Sequence, residues 1–268
     1  MLTPSSFRER FATNALFGMV HLAPLPGAPL FGGSLEAVID SALRDARTLR
    51  DGGCDGIVFE NFGDKPFFKG RVGAETIAAM TRAIADVARE VAIPFGVNVL
   101  RNDALSALAI AAATGAAFIR VNVHCGAMLT DQGLIEGDAA TTLRMRASLA
   151  PDVAIFADHL VKHAAPLADV DPIQSAKDLR VRGLADVVIV SGIETGAPPS
   201  AERLAQLRAA IDAPLLIGSG LCEENCDAFE ADGAIVGTAI KEGGRVDAPV
   251  DRARVERLVA RFKRRGAR

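Results

Sequence analysis

The chain lacks the features that would take it outside an ordinary globular class. Cysteine is scarce: Cys54, Cys125, Cys222 and Cys226 are the four in 268 residues. They are too few and too scattered for the disulfide framework of a small secreted fold. No apolar run reaches the ~18 residues that a membrane-spanning helix needs. The opening MLTPSSFRERF has no apolar core and no cleavage signature, so it does not read as a signal peptide. Positive charge is not in excess either. The net charge of −3 removes the global basic field that nucleic-acid binding uses. These absences point to a cytoplasmic protein with no integral membrane segment and no nucleic-acid partner.

What is present is ordinary in bulk and informative in pattern. Half the residues are apolar and 24% are charged, a globular composition. The length suits a single barrel-sized domain spanning 1–268. Basic residues collect at the end, at Arg252, Arg254, Arg257, Arg261, Lys263, Arg264, Arg265 and Arg268. The plain reading is a solvated last helix whose cations suit its negative end. Peripheral contact with an anionic membrane surface is the alternative.

Short apolar runs alternate with helical patterns throughout. Strands are predicted at 16–22, 56–61, 95–100, 117–123, 153–158, 186–190, 215–218 and 233–237. Helices are predicted at 34–50 (with Ser34 as N-cap), 73–90, 103–114, 137–149, 171–182 and 200–210, with a short one at 222–230 and the basic helix last. Strict alternation argues for parallel strands and right-handed crossovers. An open doubly wound sheet also fits. Eight successive units and the loop chemistry favour an α/β fold of the (β/α)₈ TIM-barrel type.

Side chains two apart on a strand share a face. In a closed barrel one face meets the helices and is apolar, and the other points inward. Ile119, Val121 and Val123 form one set, so Arg120, Asn122 and His124 form the inward set. By the same parity Glu60, Asn98 and Asp158 point inward near the carboxyl ends of their strands, where barrel enzymes place their chemistry. Each alone is readily a satisfied hydrogen-bond partner at the rim. Together they are costly to bury without a purpose. Glu60 and Asp158 are candidates for a general acid and base with separated pKa values. His21, at the end of the first strand, joins the same mouth, as do Arg101, Asn102 and His163. Lys162 is read as an electrostatic anchor or a surface lysine, with a Schiff base as the sharper alternative.

The strongest chemical signal lies late in the chain. The seventh strand runs into Gly218, Ser219 and Gly220, and the eighth into Gly237, Thr238 and Lys241. Glycines there let backbone N–H groups approach an anion, short helices add positive ends, and two hydroxyls can donate. Phosphate sites recur after these strands in barrels. Two tight turns that need glycine are the bland alternative. Gly192, Thr195 and Gly196 form a loop able to fold over a ligand. Cys222 and Cys226, spaced i, i+4, read as core packing, and no metal or other cofactor is predicted.

Several segments carry a family resemblance: GMVHLAPLPGAP, GCDGIVFENFGDKPF, RVNVHCGAMLTDQGLIEG, ADHLVKHAAPL, VIVSGIETGAPP and LLIGSGLCEENC. Over nearly the whole chain they resemble the BtpA/SgcQ family. The resemblance implies a relative of phosphate-binding βα-barrels. It also implies kinship with a cyanobacterial branch associated with photosystem I accumulation at the thylakoid surface, and with another found beside sugar-transport and sugar-metabolism genes. Ala23 stands where a second proline is usual, His159-Leu160 varies the fifth motif, and Cys222 and Cys226 are particular to this chain. The second and last two units are also similar to the tryptophan synthase α-subunit. That resemblance sets Glu60 near its acid/base glutamate and Gly220, Gly237 and Thr238 on its phosphate loops.

Three functions follow as expectations. The first is an enzyme on a small phosphorylated ligand, a sugar or nucleoside phosphate, doing isomerase, lyase or glycosyl-cleaving chemistry. The second is a non-enzymatic assembly factor for a membrane complex, and the third a phospho-ligand sensor. A homo-oligomer is expected without a specific interface.

Overall fold

Strand and helix signals in strict alternation leave each strand with two faces to cover, and closure into a ring covers both. The structure is a computed structural model that describes residues 1–192 and 194–264; of the predicted basic tail, Arg265 and Arg268 lie outside the described residues. An opening helix α1 (Pro4–Arg10) precedes β1 (Ala15–His21). Then follow α2 (Leu35–Asp51), β2 (Gly56–Glu60), α3 (Ala74–Glu90), β3 (Phe95–Asn98), α4 (Ala104–Thr114) and β4 (Phe118–Val121). A hairpin of β5 (Ala127–Thr130) and β6 (Gly133–Glu136) leads to α5 (Ala139–Leu149), β7 (Ala154–His159) and β8 (Ala164–Pro166). The chain continues with α6 (Pro172–Lys177), which runs into a π-helical turn at Asp178–Arg182, then β9 (Val187–Val190), α7 (Ala201–Ala210), β10 (Leu215–Ile217), β11 (Gly233–Val236) and α8 (Arg252–Arg264). Eight parallel strands close in the order β1-β2-β3-β4-β7-β9-β10-β11, with β11 returning to β1. The fold is the predicted TIM barrel.

The alternation works as the parity argument requires. Phe17, Val58, Phe118, Phe156, Ile189, Leu216 and Ile235 fill the barrel interior. Their neighbours Ile57, Phe59, Val97, Ile119, Ile155, Val188 and Leu215 pack outward against the helices. Helix starts are marked by short polar caps, as at Ser34, whose hydroxyl accepts from the Ala37 amide. Cations of α8 pair with the barrel surface: Arg257 with Glu223, Arg261 with Asp227 and Lys263 with Asp55. Among the described residues no helix is long and apolar enough to cross a membrane.

Three features differ from the sequence expectation. The predicted helix 222–230 is reduced to a single 3₁₀ turn at Cys226–Ala228, because its start is held by Asn225, whose side chain bonds the Cys222 amide and the Gly220 carbonyl. The hairpin β5–β6 was not foreseen; with β8 it makes a separate antiparallel sheet in the order β6-β5-β8. The third is α1. Its Phe7 is fully buried and lies 6.4 and 6.2 Å from the rings of Phe17 and Phe156. Phe11, just past the helix, sits edge-on to Phe17, Phe118 and Phe156 at 5.4–5.9 Å. These rings plug the amino-terminal end of the barrel.

Deleting a fully buried phenylalanine removes its transfer energy and leaves a cavity, together about 3–5 kcal/mol. Phe7→Ala is expected to lower the unfolding free energy by that amount in urea titration. A loss under about 1 kcal/mol would show that the plug packs loosely.

Candidate active site

The carboxyl ends of the strands surround a cavity of ≈ 1030 Å³. Its floor is the layer of inward side chains just above the apolar interior. Arg120 of β4 gives Nε and Nη2 to the two oxygens of Asp158 on β7, each at 2.9 Å. Asn122 donates Nδ2 to the same carboxylate at 2.9 Å. Asn98 of β3 donates to Asn122 Oδ1 at 3.1 Å and to the Arg120 carbonyl at 3.2 Å. Arg120 and Asp158 are almost entirely out of water, with side chains 3% and 1% exposed.

Arg120 and Asn122 line the cavity, whereas Asn98 and Asp158 lie behind them. That placement does not suit Asp158 as one half of an acid/base pair, because its oxygens are turned toward three N–H donors and away from the open space. Glu60 is placed differently. It lines the cavity and is buried, and burial pushes its carboxyl above the ordinary range, against the pull of Arg120, Lys162 and Arg101.

His21 also lines the cavity. Its ring stacks on Phe62 at 4.5 Å, and its Nε2 stands 3.7 Å from Glu60 Oε1. Desolvation, then the charge of Lys241, lowers its pKa to about 3, so the ring is neutral near pH 7. Nδ1 lies 3.4 Å from the Val246 carbonyl. With the proton assigned there, Nε2 turns its lone pair toward Glu60.

The glycine turns after β10 and β11 meet at the same cavity. Gly196, Gly218, Ser219, Gly220, Gly237 and Thr238 all line it, as does Thr195. Part of the glycine requirement is structural. Gly220 has φ +72°, and a Cβ there would fall 2.1 Å from the Pro198 nitrogen. Gly237 faces the open side, where a Cβ would approach His21 Cε1 at 3.3 Å. The Gly196 amide donates to Ser219 Oγ at 3.0 Å, which ties the β9–α7 loop to the turn after β10. Helix ends contribute less than expected: the elements after β10 and β11 are three-residue 3₁₀ turns, Cys226–Ala228 and Thr238–Ile240.

Three expectations are corrected or sharpened here. His124 is not at the cavity. β4 ends at Val121, so strict alternation lapses beyond it, and His124 turns aside to place Nε2 2.8 Å from the Gly183 carbonyl. Lys241 is buried behind the turn with Nζ 3.4 Å from Asp45. Lys162 does line the cavity, and burial lowers its pKa. Beside it, His163 Nε2 accepts from the Thr195 hydroxyl at 2.8 Å, latching the β7–β8 and β9–α7 loops together.

The cavity also has lining residues that sequence reasoning did not single out. Phe62, Lys65 and Phe67 come from the β2–α3 loop, and Asp131 and Gln132 from the tip of the β5–β6 hairpin. The alternating AMLT and GLIE around a two-residue turn were a hairpin signal. Arg101, named only as a polar neighbour of the third strand, is 6% exposed and lines the cavity.

Comparison with known proteins agrees with this architecture. The model of the BtpA family matches residues 12–264. The photosystem I biogenesis protein BtpA of Synechocystis is 48% identical over 249 residues, 92% of this chain and 87% of that protein. An uncharacterized protein of Pyrococcus furiosus is 44% identical over 251 residues, 93% and 95% of the two chains. Solved barrels share the fold at low identity. N-(5′-phosphoribosyl)anthranilate isomerase from Pyrococcus furiosus has a TM-score of 0.57 at 14% identity, covering 93% of this chain and 98% of its own. Orotidine 5′-phosphate decarboxylase from Pyrococcus horikoshii has 0.57 at 14%, covering 92% and 99%. By the family match and the extent of these identities, the chain belongs to the BtpA family.

Proposed function

We propose that the protein is an enzyme acting on a small phosphorylated substrate by acid/base chemistry. The observation that carries this reading is convergence: the glycine turns after β10 and β11 and the buried Glu60 line one cavity. Barrels of the same fold bear names that specify phosphorylated compounds, which supports the reading without fixing a substrate.

Phosphate docks on the turns at Ser219–Gly220 and Gly237–Thr238, through backbone N–H groups and hydroxyls. Among the described residues the amides of Ser219 and Gly220 have no protein acceptor. Binding energy gathered there holds the reacting end over Glu60. Glu60 moves a proton; burial, the largest cause, raises its pKa and so makes it a better proton holder than an exposed carboxylate. Arg120 is clamped by Asp158, which Asn122 holds in turn, so its remaining N–H groups face developing negative charge without reorganising. Asp158 and Asn98 are positioning residues. Isomerisation, carbon–carbon lyase chemistry and glycosyl cleavage all use such a set.

A second reading, a role in assembling a membrane complex, is favoured by the name of the 48%-identical relative. It does not require the cavity.

Three outcomes test the first reading. Glu60→Gln is expected to abolish turnover of phosphorylated substrates, assayed by mass spectrometry on a panel of sugar and nucleoside phosphates, and to leave phosphate affinity unchanged. Full activity in this variant removes Glu60 from the chemistry. Thr238→Val is expected to weaken inorganic phosphate binding about 3–10-fold in calorimetry, the equivalent of one hydrogen bond of about 0.5–1.5 kcal/mol.

The third concerns pH. Because the folded pKa of Glu60 is raised, its contribution to stability is fully present below the unfolded carboxylate pKa. It is lost as pH rises through the folded value. Glu60→Gln should therefore match wild type in acid and exceed it above that value, when urea midpoints are compared across pH. Equal midpoints at every pH would mean that folding does not raise the Glu60 pKa.

A further inference from the structure

The cavity has a second charged pole. Arg101 is 6% exposed, yet its guanidinium makes one hydrogen bond among the described residues, from Nη2 to the Lys162 carbonyl at 2.8 Å. Among the described residues no carboxylate stands within ion-pair distance of it. The buried arginine on the floor, Arg120, is by contrast matched in a bidentate pair with Asp158. Burial of an unmatched guanidinium is expensive, and its remaining N–H groups are not among the sealed, unpartnered atoms of the interior. They look into the cavity, of which Arg101 is a lining residue. Lys162 lines the same cavity, and among the described residues no carboxylate stands within ion-pair distance of its ammonium. Asp158 is already committed to Arg120, so Glu60 is the buried carboxylate left to face both cations. The exposed Asp131 at the hairpin tip lines the same cavity and acts on Arg101 through space, but among the described residues no carboxylate is in ion-pair contact with either cation.

The glycine turns after β10 and β11 are the opposite case: small, uncharged and built for a ligand that approaches backbone. Arg101 follows β3 and Lys162 follows β7, on different strands of the ring from those turns. Two unlike anion-seeking surfaces thus share one cavity.

We infer that the substrate carries two anionic groups, a phosphate for the glycine turns and a carboxylate for Arg101 and Lys162. A carboxylate fits better than a second phosphate because a planar guanidinium offers paired N–H donors that match two coplanar oxygens. A ligand of this class is a phosphorylated hydroxy- or oxo-acid. The carboxylate would lie beside Glu60 and Arg120, so the carbon next to it is the one whose proton Glu60 can reach. The inference rests on the phosphate reading of the turns, and its test separates the two.

The test uses matched pairs of probes of increasing length: phosphoglycolate with ethylene glycol phosphate, 3-phosphoglycerate with glycerol 1-phosphate, and 6-phosphogluconate with glucitol 6-phosphate. Binding of each to the full chain is measured by calorimetry, in wild type, Arg101→Met, Lys162→Met and Thr238→Val. At one length the acid is expected to bind at least 10-fold tighter than its alcohol. Arg101→Met should bring that ratio near one and leave alcohol-phosphate affinity unchanged, and Lys162→Met should lower the ratio in part. Thr238→Val should weaken acid and alcohol alike.

Equal binding of acid and alcohol at every length overturns the second pole and leaves the phosphate reading standing. So does a preference that survives Arg101→Met. A preference that depends on Arg101 but ignores Thr238→Val, with no binding of the alcohols or inorganic phosphate, overturns the phosphate reading instead. Failure of every probe to bind overturns both. Circular dichroism melting of each variant shows whether it is folded; should Arg101→Met fail to fold, Arg101→Lys, which keeps charge but loses the paired geometry, is expected to reduce the ratio.

Discussion

Arg120 and Asp158 hold each other across the floor of the barrel, and the site is organised around that pair. Neither side chain has access to enough water to survive alone, and removing one member of such a pair costs about 3–5 kcal/mol. Their two hydrogen bonds join β4 to β7, and the amides of Asn122 and Asn98 extend the network to β3. Three neighbouring strands therefore end in one polar layer whose geometry is set by mutual satisfaction. This layer separates the phenylalanine-rich interior from the wet cavity. It also determines which charges above it are matched. With Asp158 taken, Glu60 is the buried carboxylate left to the cavity, beside Arg101 and Lys162, which have no carboxylate in ion-pair contact among the described residues.

The barrel was legible because its signals are local and repeated. Each strand announces itself by a run such as GIVFE or FIRV, each helix by a cap such as Ser34, and period-two alternation assigns a face without any knowledge of the fold. That logic placed Glu60, Arg120, Asn122 and Asp158 on the inner face. It failed at His124, where the strand had already ended and alternation no longer described the backbone. The glycines after β10 and β11 stood out as a group in the sequence, and at Gly218 and Gly220, both after β10, nothing larger fits.

What stayed hidden depends on contacts distant in sequence. That Asp158 points away from the cavity follows from donors on β4, about forty residues earlier. That Arg101 is buried with no carboxylate in ion-pair contact among the described residues shows only when β3 and the β7–β8 loop are brought together. Phe62 and Phe67 looked like loop residues until the β2–α3 loop folded over the rim, and Asp131 and Gln132 arrive on a hairpin set between β4 and β7. The plug was missed for another reason: seven residues of α1 have too little periodicity to stand out, and their role is evident only against the rings beneath.

That plug bears on traffic through the molecule. With Phe7 and Phe11 wedged against Phe17, Phe118 and Phe156, the amino-terminal end of the barrel offers no passage. Whatever enters between the loops at the other end must leave by the same aperture, past the hairpin tip and the latch between His163 and Thr195. A vessel with one door cannot take in a new occupant until the old one has gone. Any occupant of the cavity therefore bars the way to a second one by simple obstruction.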